Sequence, residues 1–321
     1  MELISGFQND IIGFIKKKTG VRFMNIGYLF LAIALFTGAT KGYCGKKTSG
    51  SIASNADAMM FNFIRMLLCM VIGFVITFVS TGGVSAFGVD LTTLLLALMS
   101  GAFSSFFVIS WLLGVKSGAY TMVDVFLLIS TIIPMVGCAV GFNEEIRLNE
   151  IIGFIIILFA VAIMCSYNNS IKRKLRVRDV LLLLAMALSN GFADFSQKLF
   201  VYLRPEGNNA VFNFYTYVFS ALVLLVSLLF AGKEERSISV FKNKKLLVYV
   251  SVMAAALFIN SYFKVMAAMH ISASILYPLN QGAALIISAL MAAVFFGEKP
   301  KGKSVIGLVI CFAGLCIMNM L

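Results

Sequence analysis

A chain of 321 residues that is 60% hydrophobic and only 12% charged, with a mean hydropathy of +0.97, cannot hide its apolar surface as a soluble domain; lipid must cover it. Its net charge of +12 does not make it a nucleic-acid binder, because Lys and Arg sit in short loops between apolar runs rather than on one face. The cysteines (Cys44, Cys69, Cys138, Cys165, Cys311 and Cys316) lie in or beside apolar runs with no CxxC pair, so they read as small core residues rather than disulfides or zinc ligands.

Residues 1–23 have two readings. Leu3, Ile4, Phe7, Ile11, Phe14 and Ile15 recur at helical spacing ahead of Lys16, Lys17 and Lys18, as in an interfacial amphipathic helix; alternatively the segment is spurious and Met24 is the first residue. The charge follows the apolar part, unlike a signal peptide. Ten apolar runs follow, over about 24–42, 57–79, 91–113, 118–142, 149–168, 178–200, 211–231, 246–268, 271–296 and 304–321. Each is read as a helix crossing ~30 Å of hydrocarbon. Loops are mostly a few residues long, which makes successive helices antiparallel neighbours and leaves no room for a soluble domain.

The runs repeat. Lys116–Met164 aligns without gaps on His270–Met318, placing Glu144 on Glu298, Phe142 on Phe296 and Gly153 on Gly307. Ala34-Leu35-x-x-Gly38 matches Ala187-Leu188-x-x-Gly191, and Phe61-Asn62-Phe63 matches Phe212-Asn213-Phe214, in order and at nearly the same offset. The expected fold is therefore all-α and integral to the membrane: ten transmembrane helices as two inverted five-helix repeats, 24–168 and 178–321. An odd number of spans per copy forces the inversion, and in such carriers the site lies between the repeats near the midplane.

Charges inside spans are the costly residues, each ~2.5–3.5 kcal/mol at the bilayer centre on insertion scales. They are Lys41, Arg65, Asp124, Asp194, Lys198 and Lys264. Arg65, Lys41 and Lys198 read first as ion pairs or snorkelling groups; Asp124 and Asp194 read first as functional, since short carboxylates cannot snorkel far. Asp194 occupies the repeat position of Lys41 and is expected to face the cavity and pair with Lys198 or Lys41. Asn190, Asn213, Asn260, Tyr262, Tyr277, Asn280 and Gln281 are candidate lining groups, or else interhelical hydrogen bonds. Pro278 is expected to break hydrogen bonding in the ninth span and Pro134 in the fourth. Trp111 reads as an interface anchor and Gly38-x-x-x-Gly42 as a close-packing site.

The two helix–loop–helix units that end FNEEIRLNEIIGFIIILFAVAIM and FFGEKPKGKSVIGLVICFAGLCIM resemble the drug/metabolite transporter superfamily, of the ten-span EamA-like kind. There a Gly-Glu pair closes a helix, a basic loop follows, and a Gly-rich helix ends the repeat. Gly297-Glu298 keeps the pair; Asn143-Glu144 departs from it. Arg65 stands where the family often has Arg early in the second span, with Thr216 at its counterpart. The resemblance implies a transporter in the plasma or inner membrane, not an enzyme, with no substrate specified. Gly297–Ser304 also spells the phosphate-loop pattern GxxxxGK[ST], but it lies between two membrane helices instead of following a β-strand. ATP is therefore not expected as a partner. No catalytic triad, metal site or cofactor is expected either, the only histidine being His270.

The reading is a gradient-driven or exchange carrier of small polar or amphipathic metabolites. A flippase-like carrier of a lipid-linked sugar, or a non-transporting scaffold, are the alternatives. The expected partners are a small-molecule substrate and the lipid bilayer, with a homodimer allowed. Odd-numbered loops hold nearly all the loop Lys and Arg, and even-numbered loops only Arg147 and Arg204. That bias puts the odd loops in the cytoplasm and both ends of the chain outside.

Overall fold

The computed structural model describes residues 26–51, 55–81, 83–116, 120–166, 177–230, 244–295, 297 and 302–319. The segment 1–23 lies outside them. Among the described residues every regular element is helical: α1 (Ile26–Ser49), α2 (Asn55–Thr81), a 3-10 turn (Val84–Phe87), α3 (Leu91–Lys116), α4 (Tyr120–Ser130), α5 (Ile132–Phe142), α6 (Leu148–Ser166), α7 (Val177–Leu203), α8 (Asn209–Phe230), α9 (Lys244–Ala268), α10 (Ala273–Phe295) and α11 (Lys303–Met318). Seven stretches among them are long and apolar enough to cross a membrane, within α1, α2, α3, α7, α8, α9 and α10; Phe126–Phe142, Leu148–Ile163 and Val305–Met318 are shorter apolar helices. The protein is an all-α, multi-pass membrane protein. Phe36, Val140, Phe230 and Val294 are among many large apolar side chains left exposed on its outer surface, where lipid is the solvent.

Local sequence sets several helix ends. Asn208 Oδ1 accepts the N–H groups of Ala210 (2.9 Å) and Val211 (3.3 Å) and so caps α8. Glu150 reaches back to the Arg147 N–H at 3.2 Å, half of a capping box at the start of α6. α4 and α5 are one path interrupted at Thr131. Pro134 has no N–H to give the Ser130 carbonyl four residues earlier, and the hydroxyls of Ser130 and Thr131 bond the carbonyls of Leu127 (2.6 Å) and Leu128 (2.7 Å) instead. The expected break at Pro278 is absent. α10 runs through it unbroken, because one missing bond early in a helix packed by neighbours is tolerated.

Packing follows small residues. α6 crosses α11 where Gly153 meets Gly314: a Cβ on Gly153 would stand 2.7 Å from the Gly314 carbonyl, and one on Gly314 2.9 Å from the Gly153 carbonyl. α3 meets α8 through Ser220 Oγ, which donates to the Gly101 carbonyl at 2.8 Å, and Ser105 Oγ, which donates to the Ser220 carbonyl at 3.0 Å. The other main partners are α1 with α9, α3 with α7, and α2 with α8. Tyr28, early in α1, donates to Asn319 just past α11 at 3.0 Å, so the described chain starts and finishes at the same end of the bundle.

Candidate functional site

A cavity of about 180 Å³ lies among α1, α2, α3, α4, α7, α8, α9 and α10. Its ionic centre is Asp194 on α7, 1% exposed. Lys264 Nζ on α9 stands 2.5 Å from Asp194 Oδ1. Asn190, one turn earlier on α7, sends Nδ2 to Ser130 Oγ (2.8 Å) and to Asp194 Oδ2 (3.4 Å). Tyr277 donates from behind to the Asp194 backbone carbonyl at 2.8 Å. Asn260 donates to the Ala34 carbonyl at 2.6 Å and ties α9 to α1. Lys41 on α1 also lines the cavity and feels the charges of Arg65, Lys264 and Asp194. Arg65 on α2 is 2% exposed.

A second ionic cluster ties helix ends together at one end of the bundle. Lys198, one turn beyond Asp194, donates to the carbonyls of Ala268 (2.8 Å) and Ile271 (2.7 Å), in and after the last turn of α9. Its ammonium lies 3.6 Å from Glu144 Oε1. The same Glu144 oxygen accepts the N–H of Ala273, the first residue of α10, at 3.0 Å; a carboxylate suits a helix N-terminus. Asn143 in the left-handed conformation (φ 53°) turns the chain out of α5 and sets Glu144 there. Phe142 and Tyr202 stack above, with centroids 4.2 Å apart. At the same end, Arg204 after α7 pairs with Asp90 before α3. Asp90 also accepts the Thr93 hydroxyl at 2.7 Å. The Thr93 hydroxyl, and then Arg204, hold its carboxyl well below the ordinary 3.8.

Of the residues singled out from sequence, the cavity brings together Lys41, Asn190, Asp194, Asn260, Lys264, Asn280 and Gln281. Lys198 belongs to the closing cluster, and Tyr277 braces α7 from outside the lining. Asn213 is buried in α8 and donates to the Asn209 carbonyl at 2.8 Å. Tyr262 packs edge-on against Phe263. The side chain of Asp124, on α4, lies outside the described residues, as do residues 298–301 of the phosphate-loop-like stretch. The ion pairing differs from expectation. Asp194 is held by Lys264 and not by Lys198 or Lys41, because Lys198 turns to the free carbonyls at the end of α9. Sequence reading treated Arg65 as structural and passed over Gln197, although both line the cavity. Gln197 follows Asp194 by three residues, on the same helix face, and that spacing was the available signal. For Glu144 the sequence offers a repeat position and a counterpart of the Gly-Glu pair, but no sign of its contact with Lys198.

Residues 178–320 match the EamA-like transporter family, as the resemblance implied for the end of the chain. A solved structure described only as "Crystal structure of protein" is 14% identical, covers 91% of this chain and 96% of its own, and superposes with a TM-score of 0.72; that likeness carries the fold alone. No curated protein matches the chain in sequence.

Proposed function

We propose, taking the EamA-like unit at 178–320 as premise, that the whole chain is a secondary-active carrier of small polar or amphipathic metabolites in the cell membrane. It is built as two inverted five-helix repeats, 24–168 and 178–321, with α4 and α5 together forming the fourth span. The main helix contacts support this division. Exchanging span 1 with 6 and span 3 with 8 turns the α1–α9 contact into the α7–α3 contact, while α2–α8 and α6–α11 map onto themselves. The repeat-matched Asn62 and Asn213 make the same bond, each to the carbonyl four residues back, at 2.9 and 2.8 Å.

The observation that carries the reading is a cavity lined from both halves, with the buried Asp194–Lys264 ion pair in its lining and a second ionic cluster at one end of the bundle. In this conformation the Glu144–Lys198 cluster seals the end where α7 finishes, while the lining extends the other way to Trp111 and Met291. Opening the sealed end requires Lys198 to leave its two carbonyls and Glu144 to release α10. Alternating access is the exchange of that seal for one at the opposite end. A lining drawn from eight helices favours a water-soluble solute over a lipid-linked sugar, which needs a side opening for its acyl chains, and a scaffold needs no such cavity. The energy comes from a gradient or from exchange, since the phosphate-loop pattern follows a membrane helix. The test is uptake into proteoliposomes of purified protein, driven by an imposed proton gradient or by preloaded counter-substrate. We expect accumulation without ATP, unchanged in Lys303→Ala; uptake that requires ATP and is lost in that variant refutes the reading.

A further inference from the structure

We infer that the cavity binds a small organic anion, with the oxyanion of its carboxylate or phosphate held between Arg65 and Lys41. This deepens the carrier reading and rests on it for treating the cavity as a substrate site. The charged residues of the lining are Lys41, Arg65, Lys264 and Asp194. Lys264 and Asp194 satisfy each other at 2.5 Å. Two cations remain, and none of the ion pairs among the described residues includes either. Arg65 is 2% exposed, and its Nε has no hydrogen-bond acceptor. It sits about ten residues, or ~15 Å, along α2, too deep for its guanidinium to be explained as a headgroup contact.

An unpaired cation in such a place is costly unless something completes it. A guanidinium offers a planar fork of donors that fits a carboxylate or phosphate, and a neighbouring ammonium adds a point charge. The remaining lining is uncharged and largely apolar, with Asn190, Asn280 and Gln281 among the groups suited to hydroxyl or carbonyl groups on the ligand body. Among the described lining residues no carboxylate is free to receive an ammonium, so cations and zwitterions fit poorly. The volume, about 180 Å³, falls below the ~300–1,000 Å³ of pockets for drug-sized ligands. It suits an acid of a few carbons or a small phosphate ester, not a nucleotide-linked sugar.

The experiment is a thermal-melting titration of the full-length protein in lipid nanodiscs with succinate, malate, glycerol 3-phosphate, L-alanine, choline and glucose. Saturable stabilisation by succinate or malate identifies the carboxylate form of the site, and by glycerol 3-phosphate the phosphate form. L-alanine, choline and glucose should bind more weakly than the preferred anion. Arg65→Gln and Lys41→Gln should each weaken that anion by at least about 30-fold, and Arg65→Lys should recover part of the loss. Without ligand, Arg65→Gln should melt no lower than the parent protein, since it removes an unpaired buried charge. Absence of stabilisation by all three anions, anion affinity unchanged from the parent protein in both Gln variants, or tighter binding of L-alanine or choline overturns the inference. Uptake separates it from the carrier reading. An anion that binds but never accumulates in proteoliposomes defeats the carrier and leaves the site. Accumulation of choline or L-alanine with the anions inert defeats the site and leaves the carrier.

Discussion

Asp194 ties three helices through one residue: its carboxylate to Lys264 on α9 and Asn190 on its own α7, and its backbone carbonyl to Tyr277 on α10. A group so placed has either a moving part in transport or a fixed part in folding, and Asp194→Asn distinguishes them. The amide keeps the shape and loses the charge, leaving Lys264 unpaired. Removing one partner of a buried pair costs about 3–5 kcal/mol; the loss here is smaller, because the Lys264 side chain is 12% exposed and reaches the cavity. We expect the variant to insert and fold with a lowered melting temperature, and its uptake per folded molecule to fall at least about tenfold, a barrier change of only ~1.4 kcal/mol. Normal uptake per folded molecule would remove Asp194 from the mechanism. The importance of this residue was legible in the sequence, since a short carboxylate deep in an apolar run has few innocent explanations. Its partner was not. Lys198 looked right at one helical turn, whereas Lys264 lies 70 residues away in sequence, and only the packing of α9 beside α7 decides between them.

At the scale of helices, apolar run length located most of the described helices to within a few residues. What it missed were events inside or beyond the runs. α1 continues to Ser49, well past the expected end near residue 42, so Lys41 sits within a helix and not at its rim. The interruption at Thr131 is legible from Pro134, whose missing N–H acts one turn upstream. Pro278 carries the same signal with no break, since tertiary packing decides whether a lost bond becomes a kink. Gly38-x-x-x-Gly42 is half right: Gly38 faces Asn260 closely, while a Cβ on Gly42 would meet nothing within 4 Å. The Gly153–Gly314 crossing is the contact most sensitive to size. Gly314→Leu should separate α6 from α11 and cost about 1–3 kcal/mol as overpacking. This would appear as a lower melting temperature, whereas Gly42→Leu should leave it nearly unchanged. Equal effects of the two would show that helix propensity and not the crossing is being measured.

For the molecule as a whole, the sealed end and the charge bias make one joint statement. The Glu144–Lys198 cluster lies at the end where α7 finishes, and the described helix ends that flank the Lys- and Arg-rich stretches of the sequence, such as the start of α7 at Val177 and of α9 at Lys244, lie at the other. From positive-inside bias we propose that the Glu144–Lys198 end, with Asn319 near it, faces outward. A C-terminal phosphatase fusion should be active and a fluorescent-protein fusion dark; the reverse pair of results would invert the assignment. The internal repeat we propose rests on the sequence matches, from Glu144 and Glu298 onward. How the halves interleave was not legible there, because no matched motif records that α1 lies against α9 and α3 against α7. This interleaving has a consequence for biosynthesis. At ~5–20 residues per second, the stretch from Ser49 to Lys244 takes the ribosome roughly 10–40 s. For that interval α1, with Lys41, is in the bilayer without the helix that will cover it, and Arg65 waits beside it in a half-built bundle. The early cations must be sheltered by the insertion machinery or by lipid headgroups, so the nascent first half is the stage at which quality control can recognise this protein as unfinished.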